Sequence, residues 1–152
     1  MPQTFNLVSL FAIASNFSLL LILWNDLPER VPIHFGITGV ADRWGSKQHL
    51  ILLPLIALGI YIVLTIALRL GNPGNSLIAI TPENAERQKV LMTRMIAWIQ
   101  AETLWLFTLV EWQSIRVAMG RANGLGGQFL PIVLVVIFGT IGYYIWRSYQ
   151  LR

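Results

Sequence analysis

A chain of 152 residues has the size of one soluble domain, yet 55% of its residues are hydrophobic and 12% charged, against roughly 25% charged in soluble domains. With a mean hydropathy of +0.63, the apolar excess needs lipid as its solvent, so an integral membrane protein is expected. The net charge of +4 comes from eleven Lys and Arg scattered among apolar blocks, which argues against a nucleic-acid partner, and the absence of cysteine excludes disulfides, thiolate metal sites and cysteine nucleophiles.

The predicted fold class is an all-α integral membrane protein: one domain over 1–152 with four transmembrane helices near 5–24, 46–70, 82–119 and 129–149. Each carries an apolar run close to the ~20 residues that cross the hydrocarbon. The runs are continuous, not alternating, which favours helices over a closed barrel. The first run lacks a basic leading segment, and no small-residue cleavage site precedes Asn25-Asp26-Leu27-Pro28. A retained helix is expected there rather than a cleaved signal. Its small, polar side (Ser9, Ala12, Ser15, Asn16) suits close helix contact, and Asn16 is an intramembrane polar candidate.

The connection between helices 1 and 2 reads as a compact, structured loop. Pro28 and Pro32 push their predecessors to extended backbone, so Val31 to Phe35 is expected as an extended segment. Gly36 and Gly39 allow one turn, and Asp42 followed by Gly45 suits a second. Ser46 is a candidate N-cap for helix 2, and Pro54 falls near the first turns of that helix.

Along this loop the chain resembles a bacterial family of membrane domains of unknown function, typified by the immunity protein against the sporulation-delaying peptide toxin. The shared pattern is Leu27-Pro28, Val31-Pro32-Ile33-His34-Phe35, Gly39, Asp42-Arg43, Gly45-Ser46-Lys47 and Pro54. It spans roughly Trp24 to Pro54, about a fifth of the chain. The resemblance implies a bacterial cytoplasmic membrane, a motif loop on the extracytoplasmic side and a binding surface at Pro32, His34, Phe35, Gly39, Asp42 and Lys47. Loop charges agree in sign: six Lys and Arg flank the side holding both termini, and five flank the other. Both termini are therefore expected in the cytoplasm.

His34 is expected to pack under the loop with a backbone carbonyl or Asp42 as partner. The functional readings of His34 are a contact to a partner, a pH-sensitive latch or a metal ligand. No cofactor is assigned. Zinc is the alternative, on His34, Asp42, His49 and Glu111, although no His-Glu-x-x-His or close histidine pair demands it.

Helix 3 is expected to start at Thr81-Pro82-Glu83, with a hydroxyl cap, a proline and an acid at the positive dipole end. Running to the next glycine, Gly120, it would be about 57 Å long, so its first turns lie outside the hydrocarbon. Glu102 and Glu111 are its intramembrane acids. Nine residues apart, they face opposite sides of the helix; Glu102 is placed deeper and Glu111 near an interface. Trp98, Trp105 and Trp112 make one stripe, read as packing against helices or lipid. Gly124 to Gly127 reads as a flexible connector with no phosphate role. In helix 4, Gly139 and Gly142 suit close packing, while Trp146 and Tyr149, with Trp24 on helix 1, suit the membrane interface.

No catalytic fingerprint for acyl transfer, phosphate or dinucleotide chemistry occurs. Three functions remain in order. The first is a non-enzymatic receptor or immunity-type protein, binding a peptide or membrane partner through the His34 loop. The second is a small metal-dependent membrane hydrolase using His34 and acids. The third is a transport or proton-relay subunit using Glu102. Self-association is compatible with a bundle of this size.

Overall fold

The computed structural model describes residues 3–70 and 78–152. Helix α1 (Gln3–Leu23) leads into strands β1 (Arg30–Phe35) and β2 (Ala41–Ser46), followed by a 3-10 helix (Lys47–Ile51) and α2 (Leu52–Leu70). Helices α3 (Ala85–Ala118) and α4 (Phe129–Gln150) complete the described chain. Three segments are long and apolar enough to cross a membrane: Thr4–Leu23, Lys47–Leu70 and Phe129–Gln150. The chain is a multi-pass membrane protein on that ground. The fourth long helix, α3, has 34 residues and a length of about 51 Å; it packs against α1, α2, α4 and β1.

Burial is inverted relative to a water-soluble bundle. Leu21, Ile22, Val135 and Phe138 face outward, whereas Ser9, Asn16, Gln88, Gln100, Thr108, Glu111 and Ser114 are buried. Lipid accounts for this: outward apolar side chains need no cover there, and small or polar residues that let backbones approach mark the seams. The buried side of α3 repeats at helical spacing through Ala97, Gln100, Ala101, Leu104, Thr108, Glu111 and Ile115. In mid-bundle Leu104 packs with Ala12, Ile13 and Ala57, and the small side chains bring α1 and α2 close to α3.

Polar side chains lock this seam. Asn16 Nδ2 donates to Thr108 Oγ1 at 2.6 Å and to the Ala12 carbonyl at 2.8 Å. Gln100 Nε2 donates to the Tyr61 carbonyl and to Thr65 Oγ1, both at 3.0 Å. Tyr61 in turn donates to Asn6 Oδ1 at 2.7 Å. Near the C-terminal end of α4, Gln88 Nε2 donates to the carbonyls of Ser148 and Leu151, and Ser148 Oγ donates back to Gln88 Oε1. These bonds tie α3 to the last turn of α4, whose carbonyls lack a full set of intrahelical donors.

The structure corrects several expectations. The chain is mostly helical but not all-α, because the first loop is a two-stranded antiparallel sheet. Asp42 and Gly45 lie inside β2, not in a second turn, and Gly45 pairs with Val31 across the ladder. Ser46 makes no side-chain cap, and a 3-10 helix precedes α2. Helix α3 begins after Asn84 rather than at Pro82. There Asn84 Oδ1 accepts from the Thr81 N–H at 2.9 Å and its Nδ2 donates to the Ala79 carbonyl at 3.1 Å. That Asn-centred turn takes the place of the threonine cap. Pro54 is the third residue of α2 and is buried there, where a missing N–H costs no intrahelical bond.

Candidate functional site

The hairpin is a rigid extension of the bundle. Leu27 and Val31 are buried against Leu20 of α1, Leu50 of the 3-10 helix and Ile115 of α3. Lys47 holds the base from another side. Its ammonium pairs with Glu29 at 3.0 Å and lies 5.3 Å from the Trp24 ring centroid, and its N–H donates to the Glu29 carbonyl. Pro32 has no N–H to give the ladder, and the register shifts between Pro32 and His34, at Ile33, as expected where a proline meets a strand.

The tip is clasped by the connection between α3 and α4. Gly39 turns the chain at φ +77°, a conformation glycine adopts without steric cost. The Leu125 N–H donates to the Gly39 carbonyl at 2.7 Å, and Val40 bridges Gly124. Gln113 of α3 donates to the Gly124 carbonyl at 2.6 Å. The stretch Gly124 to Gly127, expected as a flexible connector, is therefore a fixed partner of the hairpin, since its glycines admit a second backbone at contact distance.

Four large apolar side chains of the hairpin remain uncovered: Ile33 (45% exposed), Ile37 (82%), Val40 (55%) and Trp44 (42%). On the same two strands His34 Nδ1 and Asp42 Oδ1 lie 2.6 Å apart, with both side chains about half exposed. His34 thus has the Asp42 partner expected of it but is not packed underneath. The His34 hydrogen bond holds the Asp42 carboxyl below its usual 3.8, against a smaller opposing effect of desolvation.

A folded-state value below the unfolded one stabilises the hairpin above the unfolded value and is lost as pH falls through the folded one. Protection against amide exchange across 34–43, taken relative to the intrinsic rate at each pH, is therefore expected to fall as pH drops below about 4. That acid loss should be absent in Asp42→Asn. An unchanged acid profile in that variant would show that the pair does not hold the strands.

The other expected site residues are distributed as follows. Pro32 is buried, Phe35 is half-buried, and Gly39 and Lys47 are occupied by the clasp and by Glu29. His49 Nδ1 is 2.9 Å from the Ser46 carbonyl. Among the described residues no three His, Asp or Glu side chains gather into a group that could hold a metal ion, so the zinc set of His34, Asp42, His49 and Glu111 is not assembled. Glu102 and Glu111 do diverge. Glu102 Oε1 accepts from Thr140 Oγ1 of α4 at 2.5 Å, whereas Glu111 is on the buried seam with neither carboxylate oxygen hydrogen-bonded. Glu111 is fully buried within the protein rather than partly hydrated as expected, and one turn further along α3 Ile115 packs with Val31 of β1. Sequence reasoning missed Ile33, Ile37, Val40 and Trp44 as surface groups, for which alternation within a half-buried strand is only a weak signal.

A family model described as "Domain of unknown function (DUF1648)" matches residues 11–58, which take in more than half of α1, the whole hairpin and the start of α2. A protein of Archaeoglobus fulgidus described as "Uncharacterized protein" is 43% identical over 49 residues, covering 32% of this chain and 27% of that protein. The match thus spans about a quarter of that relative's length. No solved structure matches the chain. The family match therefore falls on the hairpin and its two flanking helices, and it carries no assigned activity.

Proposed function

We propose that the chain is a non-enzymatic receptor or immunity-type membrane protein whose hairpin binds an extended peptide or an exposed segment of another membrane protein. Both termini are in the cytoplasm in this reading, and the hairpin faces outward from a bacterial-type plasma membrane. One observation carries it: a hairpin fixed at base and tip leaves four large apolar side chains uncovered and also bears an exposed His34–Asp42 pair. Ordering costs have been met before a partner arrives, so apolar burial on contact is retained as affinity. With β1 against α3 and no third strand among the described residues, the free edge of β2 offers backbone groups to an added strand. The uncovered apolar side chains then meet those of the added strand, and the His34–Asp42 pair sets orientation.

A photo-cross-linking residue at Ile37 tests this in intact cells, with the same probe at lipid-facing Val135 as the reference. A discrete peptide or protein adduct at Ile37 alone is expected, reduced severalfold by Trp44→Ala and by His34→Ala at equal protein levels. Adducts with lipid only, or the same products from both positions, would overturn the proposal.

A further inference from the structure

Between α1, α3 and α4 lies a partly open cavity of about 310 Å³, lined by Val8, Trp98, Trp105, Leu109 and Val136 with Glu102 as its one charged residue. The two indoles are held in place from α1. Phe5 meets Trp98 edge-on at 5.0 Å between centroids, and Phe11 meets Trp105 at 5.9 Å. Glu102 Oε1 accepts from Thr140, but Oε2 is buried without any hydrogen-bond partner. Neither ion pair among the described residues involves Glu102.

This is a charge-selective arrangement. A carboxylate in apolar surroundings is costly without a counter-charge, and the cavity is at the small end of the range that takes organic ligands. A lipid acyl chain would fill the apolar part and leave Oε2 unanswered. A small hydrated cation would neutralise the acid but gain nothing from the walls. An apolar body carrying one delocalised positive charge satisfies both, with the indole faces adding cation–π attraction. We propose that this cavity is a binding site for lipophilic monovalent cations of the quaternary phosphonium or ammonium class, with Glu102 as the counter-ion. The site lies among the helices and is independent of the hairpin.

The test uses the full chain in neutral detergent micelles, with tetraphenylphosphonium as probe, read by equilibrium dialysis and by tryptophan fluorescence. Saturable binding of one cation per chain is expected, weakened about tenfold or more in Glu102→Gln and partly restored in Glu102→Asp. Circular dichroism and elution volume report whether the variants keep the fold. A second arm needs no variant: uncharged triphenylphosphine oxide should fail to displace the bound cation from the unaltered protein. Absence of saturable binding, equal affinity in a folded Glu102→Gln, or displacement by the neutral oxide would each overturn the proposal.

Discussion

Gly39→Val is expected to free the hairpin tip while leaving the helical bundle folded. A Cβ at Gly39 would stand 2.5 Å from the Gly126 carbonyl oxygen and 2.8 and 2.9 Å from its carbonyl carbon and nitrogen. These are backbone atoms, so no side-chain rotation relieves the overlap. The φ of +77° adds about 1–3 kcal/mol of strain for a branched residue. The cheapest relief is to lift the tip, which breaks the Leu125–Gly39 hydrogen bond and the Val40–Gly124 bridge.

Hydrogen exchange should then rise steeply over 36–42 and 124–126. Protection at the base should persist, because Leu27, Val31, Leu50 and Ile115 pack independently of the tip. Gly120→Ala is the control. Gly120 is also at positive φ, +69°, but a Cβ there meets nothing within 4 Å, so only strain of about 1 kcal/mol is expected and no change at the hairpin. Wild-type exchange at the tip of Gly39→Val would show that the clasp does not hold it.

That clasp also shows where the sequence was and was not legible. The apolar helices are signalled by runs of residues that depend on nothing but the solvent. The ends of α1 and α4 fall within two residues of those expected, whereas α2 starts at Leu52 rather than 46 because a 3-10 helix intervenes. The start of α3 was missed, because Thr81, Pro82 and Asn84 offer competing local hydrogen bonds and only the fold selects among them. The first strand was readable because Pro28 and Pro32 restrict the backbone locally. Its partner, Ala-Asp-Arg-Trp-Gly-Ser, has little intrinsic strand preference. It pairs because Asp42 meets His34 and because Gly45 lets Ile33 cross it, a Cβ there lying 3.0 Å from Ile33 Cγ2. Gly124 to Gly127 looked like a connector because glycine in a sequence declares freedom, not the contact for which that freedom is used.

The two intramembrane acids divide in the same way. Their nine-residue spacing set them on opposite sides of α3, and Glu102 reaches Thr140 while Glu111 joins the buried seam. Burial was harder to foresee. Counting residues along the apolar run gives a depth for Glu111 but not its neighbours in the bundle, and the side chain is 0% exposed.

Glu111→Leu is expected to raise stability, the reverse of the usual result for a fully buried position. The side chain is 0% exposed, and neither oxygen has a hydrogen-bond partner. Leucine has similar volume, and Ile115, one turn further on, already belongs to an apolar cluster with Leu20 and Leu50. Removing two unsatisfied buried acceptors without opening a cavity should gain about 1–3 kcal/mol, read as a higher midpoint of thermal unfolding in detergent. Glu111→Ala separates packing from polarity: it removes the same acceptors but leaves a void, and cavity cost should cancel the gain. If Glu111→Leu instead lowers the midpoint, the buried acid contributes to the fold and this reading of its two unpaired oxygens is overturned. If the midpoint rises while hairpin-dependent cross-linking at Ile37 falls, the acid is retained at a cost in stability for what the hairpin does.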